Sequence, residues 1–266
     1  MKIRIILLMT ALLWGFLPLA EAAGWDLNGV GLPAVISQLR DGAAALPSPL
    51  PLMASSHTII CVDPGHPNTY NDGFTPVNGT NETRINWQVA LKLEKILKEK
   101  GFEVLMTKSS EKEYVENKDR ALMANTGGAA LAVHLHCEST PGSGFTIYYP
   151  DREGTYDYKD DPDNGFKGPS QEVMAGSLVF AQAMSKGMAQ GLAGGLADLG
   201  VKGDSKTKVG SSQGALTFSI FSKVPTITIE MAVLTNLHDA NFIKSEAGQE
   251  KMAQAIASGI LLYQTP

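Results

Sequence analysis

The sequence predicts an α/β protein: a single open, mostly parallel twisted sheet with helices on both faces. Three observations lead there. From Thr58 onward, apolar runs rich in β-branched residues alternate with stretches whose apolar residues recur at helical spacing, the pattern of a parallel sheet covered on both sides. The length suits one domain with a large core, and no internal repeat interrupts it. Histidines and acidic residues stand where the strand runs end, and open α/β sheets place ligands at those ends.

In chain order, "TIICVD" is the first strand, and it turns polar at Asp63 and His66, both expected at its exposed end. Asn81 offers a helix cap, after which Ile85, Val89, Leu93, Ile96 and Leu97 mark one helical face up to Gly101. "FEVLMT" is a strand, "ENKDRALMANT" a helix and "ALAVHLHC" a third strand. "FTIYYP" follows as a strand or hairpin at a sheet edge, and then a polar loop from Asp151 to Ser170 carries six acidic residues in "DREGTYDYKDDPDN". "QEVMAGSLVFAQAMSKGMAQGLA" is a helix weakened by its glycines. "ALTFSIF" and "TITIEMA" read as two closely spaced strands, His238 in "NLHDAN" as part of a polar turn, and the end of the chain as a helix bearing Met252, Ala255, Ile256, Gly259, Ile260 and Tyr263.

Ahead of this region, residues 1–22 read as a signal peptide. Lys2 and Arg4 precede an apolar run too short to span a bilayer, and Ala20-Glu21-Ala22 fits a cleavage site. Residues 23–56 form an N-terminal segment and Pro/Ser-rich linker, with one short helix in "WDLNGVGLPAVISQLRDG", and residues 57–266 form the main domain. The protein is thus expected to be exported, periplasmic or secreted, with no membrane association after cleavage. Removing Lys2, Arg4 and Glu21 takes the net charge from −5 to −6, which argues against a nucleic-acid partner. Cys61 and Cys137 lie in apolar strand runs at different heights along parallel strands, and are expected to be buried free thiols.

His66, Glu82, His136 and Glu230 fall at the carboxyl ends of strands or at the start of the helix that returns to them. Two imidazoles and a carboxylate match a catalytic zinc site with one position open, and a further carboxylate suits a proton acceptor beside it. Each residue also has a plainer reading. Glu82 suits a helix start, and His136 suits a core histidine. Glu230, set in "TITIEMAVL", is costly to bury without a partner.

The blocks "VDPGH", "NETRINWQVALKLEKILKEKGFEVLMTK", "DRALMAN", "LAVHLHCES" and "VPTITIEMAVLTN" occur in that order. Together they resemble the zinc-dependent N-acetylmuramoyl-L-alanine amidases, peptidoglycan hydrolases with a phosphorylase/hydrolase-like fold. The resemblance implies one Zn²⁺ per chain held by His66, Glu82 and His136, with Glu230 as the catalytic base. It implies a peptidoglycan substrate cut between N-acetylmuramic acid and L-alanine, and an activator protein is a possible partner. Asn86 and Asn236 fall on the family's asparagines. "PNTYNDG" replaces the usual glycines after the first histidine. His134 stands two residues before the second ligand in place of a small or polar residue, and Cys137 and Glu138 replace alanine and Asn/Asp. His134 and His136 share a strand face; the position nearer the carboxyl end, and the resemblance, both select His136. Two alternatives are a zinc peptidase or carboxypeptidase cutting stem peptides, whose first His and Glu usually lie three apart rather than 16 as here, and a non-catalytic wall-binding regulator on the same fold.

Overall fold

The computed structural model describes residues 58–264, so the expected signal peptide, the segment to residue 56 and His57 lie outside the described residues. Within them the chain runs β1 (Ile59–Pro64), α1 (Glu82–Glu99), β2 (Glu103–Met106), α2 (Asn117–Thr126), β3 (Leu131–Glu138) and β4 (Phe145–Tyr149). A two-stranded ribbon of β5 (Gly154–Thr155) and β6 (Lys167–Gly168) precedes α3 (Gln171–Gly191) and β7 (Asp198–Gly203). Short helices α4 (Lys208–Gln213) and α5 (Thr217–Phe221), strand β8 (Thr226–Val233), α6 (Leu237–Ile243) and α7 (Glu246–Gln264) complete it.

The main sheet has the order β2-β1-β3-β8-β4-β7. Its pairs are parallel except β4 with β8, which is antiparallel. This is the open, mostly parallel sheet the sequence predicts. Alternation along the central strands divides the two faces. Ile60, Val62, Leu131, Val133, Leu135, Ile227 and Ile229 point into a core closed by α1, α3 and α7. Cys61, Ala132 and their neighbours face a smaller cluster closed by α2 and α5. The two thiols therefore lie on opposite faces, Cys137 in the larger core and Cys61 in the smaller, and each is buried and free. Among the described residues no helix is long and apolar enough to cross a membrane.

Three elements differ from the sequence expectation. "ALTFSIF" ends in helix α5, not in a strand, although its β-branched and aromatic content favours one. Both sides of β8 are already taken by β3 and β4, so the segment buries its apolar residues by lying across the sheet instead. Phe218 stacks on His134, and Phe221 packs with Tyr156 and Phe166. "FTIYYP" is not an edge strand: β7 pairs outside it. β7, "DLGVKG", has only Leu199 and Val201 as apolar residues, set among two glycines and two charges, so its strand pattern is too short to mark it. His238 sits in the first turn of α6 rather than in a turn before it, where Asn236 caps the helix by accepting from the amides of His238 and Asp239.

The glycines of α3 have a packing cause. A Cβ on Gly187 would lie 2.5 Å from the backbone nitrogen of Gly259 in α7, and one on Gly191 would lie 2.7 Å from the Ala255 methyl. The two helices meet backbone to backbone, which offsets the helical propensity that glycine forfeits. Gly187→Leu is expected to destabilise the domain by about 1–3 kcal/mol, seen as a lower urea midpoint at unchanged slope. An unchanged midpoint would contradict a tight crossing.

Candidate metal centre

Because β1, β3 and β8 run parallel, their carboxyl ends meet at one edge of the molecule, on the face carrying α2 and α5. β1 delivers Asp63 and then the loop bearing His66. β3 delivers His134 and His136, and β8 places Glu230 in register with His136. α1 returns to the same edge because Asn81 caps it there, accepting from the Arg84 amide, and that puts Glu82 in its first turn.

The loop after β1 is built by hydrogen bonds of its own side chains. His66 adopts φ 61, the left-handed region that few non-glycine residues enter. Its carbonyl accepts from the Lys108 ammonium, and its Nδ1 donates to the Asn71 carbonyl at 2.8 Å. Asn68 Oδ1 accepts from the amides of Tyr70 and Asn71, Asn71 Oδ1 from Gly73, and Asp72 Oδ1 from Phe74. These Asx turns let "PNTYNDG" form the bend for which glycines are usual. Beside it, the Gly65 amide donates to Leu135 O at 2.9 Å and its carbonyl accepts from Asn86 Nδ2 at 3.2 Å. A Cβ on Gly65 would land on the His136 ring, so only glycine lets β1 and that ring lie together.

The three expected ligands converge. Among the described residues, one atom each from His66, Glu82 and His136 lie within 4.8 Å of one another, a grouping that could hold a metal ion. Glu82 Oε2 is 3.3 Å from His66 Nε2, Glu82 Oε1 is 2.8 Å from His136 Nδ1, and the Cys137 amide also donates to Oε1. Burial alone would raise the Glu82 pKa, but its contacts with His136 and His66 hold it well below the usual carboxylate range. Burial is the largest cause that pushes His136 down to about 4. Burial likewise works to lower His66, but the Glu82 carboxylate outweighs it and raises the value.

Glu230 shares the site's face of the sheet, with Thr146 of β4 opposite it. Its Oε2 is buried without a hydrogen-bond partner, and burial together with the Glu82 and Glu138 carboxylates pushes its pKa well above the ordinary range. It is the fourth expected residue, set beside the other three. The Gly-rich α3 lies on the opposite face of the sheet, whereas the acidic loop reaches the rim of the site through Tyr158, edge-on to Tyr70.

Asp63 departs from its expectation: it is completely buried. Arg120 of α2, also completely buried, donates from Nη1 to Asp63 Oδ1 and to Pro64 O at 2.8 Å. It donates further from Nη2 to Pro67 O at 2.9 Å and from Nε to Val115 O at 2.8 Å. Burial would raise the Asp63 pKa, but Arg120, His134 and the Thr107 hydroxyl hold it far below the usual range. Arg120 is not among the residues expected at the site from sequence. Its signal was an arginine adjoining Ala121 and Ala124, the apolar face of α2.

A sequence model of the family described as N-acetylmuramoyl-L-alanine amidase matches residues 60–261. The sporulation-specific N-acetylmuramoyl-L-alanine amidase of Bacillus subtilis (strain 168) is 37% identical over 95 residues, 35% of this chain and 36% of that protein. The amidase LytC of the same organism is 26% identical over 207 residues, 77% of this chain and 35% of its own length. The chain thus spans about a third of the length of these two relatives. Escherichia coli (strain K12) AmiA is 21% identical over 92% of this chain and 89% of its own. Among solved structures, the Clostridium difficile 630 amidase superposes with a TM-score of 0.62 at 23% identity, covering 79% of this chain and 98% of that one. The catalytic domain of CwlV from Bacillus (Paenibacillus) polymyxa var. colistinus gives 0.60 at 24%, over 78% and 98%. At these identities the superpositions speak to a shared fold.

The Asp63–Arg120 pair has a measurable consequence. The folded-state pKa of Asp63 is depressed, so its stabilising contribution is present above about pH 4 and fades as the pH falls below that unfolded-state value toward the folded one. In chelator-treated protein, Asp63→Asn should lower stability at pH 7 by about 3–5 kcal/mol, because it leaves Arg120 buried and unpaired. The gap from wild type should narrow at pH 3. Urea unfolding at both pH values checks this, and a gap that does not change with pH would contradict it.

Proposed function

The chain belongs to the N-acetylmuramoyl-L-alanine amidase family, and we propose that it hydrolyses, in peptidoglycan, the amide joining the lactyl group of N-acetylmuramic acid to L-alanine. The observation that carries the mechanism is a carboxylate, Glu230, with a buried unpartnered oxygen beside a His-Glu-His cluster.

The donor set fits zinc. His66 spends its Nδ1 proton on Asn71, which leaves Nε2 bare toward Glu82; Glu82 is held ionised; and two imidazoles with one carboxylate is a common set for a catalytic zinc with an open position. When bound, the ion supplies Lewis acidity to the scissile carbonyl and makes water more acidic. His66, Glu82 and His136 would hold it. Glu230 takes the proton of the attacking water at Oε2 as the water oxygen bonds to the carbonyl carbon. It then delivers that proton to the departing L-alanine nitrogen as the C–N bond breaks. Its burial beside other carboxylates raises its proton affinity, which makes the ionised carboxylate a stronger acceptor for the water's proton. Export to the wall, directed by the N-terminal segment, accords with this substrate.

Purified protein is expected to carry one zinc per chain by elemental analysis. Chelation should abolish hydrolysis while leaving most far-UV circular dichroism, and an active zinc-free protein would refute the metal reading. Glu230→Gln should keep zinc and lower turnover by about 10²–10⁴-fold, measured at matched zinc occupancy as release of L-Ala-terminated stem peptides. Near-normal release would remove Glu230 as the base.

A further inference from the structure

We propose that His134 is a positioning residue for the metal. It accepts the outer ring proton of His136 and, anchored by Asp63 and Arg120, fixes which nitrogen of His136 faces His66 and Glu82. This rests on the ligand set proposed above.

The two nitrogens of His136 have different partners: Nδ1 lies 2.8 Å from Glu82 Oε1, and Nε2 lies 2.7 Å from His134 Nε2. His134 Nδ1 meets Asp63 Oδ2, whose other oxygen accepts from Arg120 and Thr107. A carboxylate so placed only accepts, so the His134 proton is on Nδ1, and in a neutral ring that leaves Nε2 bare. Nδ1 is the nitrogen of His136 that faces Glu82, so a ligating His136 carries its proton on Nε2 and donates it to His134. The His136 lone pair is then on Nδ1, aimed at the cluster. The chain of bonds runs Arg120, Asp63, His134, His136, and each proton in it has one acceptor. His134 Nε2 meets the nitrogen of His136 that faces away from Glu82, and it stands outside the grouping of His66, Glu82 and His136, so His134 supports His136 rather than joining it as a fourth ligand.

Packing holds the device in place. The His134 ring is 4% exposed and stacks on Phe218 at 5.0 Å, leaving water little access to compete for its nitrogens. Gly65 packs against the Nε2–Cε1 edge of the His136 ring. A ligating histidine generally donates its outer N–H to a fixed acceptor, and loss of that acceptor weakens metal binding. Here the acceptor is a second imidazole two residues upstream on the same strand face.

The test is zinc affinity of the apo protein, read by competition with a chromophoric chelator, for wild type and the variants His134→Phe, His134→Gln and His136→Ala. Phenylalanine keeps the stack on Phe218 and supplies no acceptor; glutamine can accept from His136 and donate to Asp63. His134→Phe should bind zinc about 10–100-fold more weakly, while His134→Gln should stay within a few-fold of wild type. Wild-type affinity in His134→Phe, with His136→Ala devoid of zinc, would overturn this proposal alone. Zinc retained by His136→Ala would overturn the ligand set itself. If His134→Phe does not fold, ¹⁵N-histidine NMR of zinc-loaded wild type decides: a proton on His136 Nε2 with Nδ1 ligated supports the proposal, and the reverse tautomer overturns it.

Discussion

The buried ion pair between Asp63 and Arg120 is the constraint on which the site depends. It joins the end of β1 to α2 across the smaller core, and the same guanidinium takes the carbonyls of Pro64 and Pro67, on either side of His66. A charge pair taken out of water gains little unless its remaining hydrogen-bonding groups are met. Here Asp63 has Arg120, Thr107 and His134, and Arg120 reaches three backbone carbonyls besides. The pair therefore acts less as a source of stability than as a template. Once it forms, the chain leaving β1 has one path, and His66 is held at its left-handed φ by fixed neighbours.

Sheet geometry supplies the rest. Side chains of a strand alternate between faces, so the residues that pack the large α1/α3/α7 core leave Asp63, His134, His136, Thr228 and Glu230 on the other face. The parallel register of β3 and β8 then sets His136 beside Glu230 without any local motif linking them. The antiparallel β4 closes that side with Thr146, and α5 lies over His134. Two carboxylates near one another, Glu82 and Glu230, end with opposite character. Glu82 meets two imidazoles and stays ionised, whereas Glu230 meets burial and other acids, which raise its proton affinity. Environment alone separates the two roles.

The departures from the family pattern are compensated within the chain. Polar residues that close their own turns stand where glycines are usual in the loop after β1. A histidine two positions before His136 brings an aromatic ring into the small core, and Phe218 and Asp63 give its face and its edge a partner.

By itself, the sequence determined the fold class, the alternating central elements and the four residues that come together at the strand ends. Those signals are local: β-branched runs, helical periodicity, a capping asparagine before Glu82, and ordered blocks around His66, His136 and Glu230. Tertiary structure decided what depends on vacancy and register. "ALTFSIF" has strand composition and became a helix because β8 had no free side. β7 is a strand because the edge beside β4 was open, although two glycines hide it in sequence. Asp63 looked like an exposed strand end and is buried, because Arg120, some 57 residues away, reaches it across the small core. No periodicity records a pairing between distant elements; only the packed sheet brings the two charges into one place.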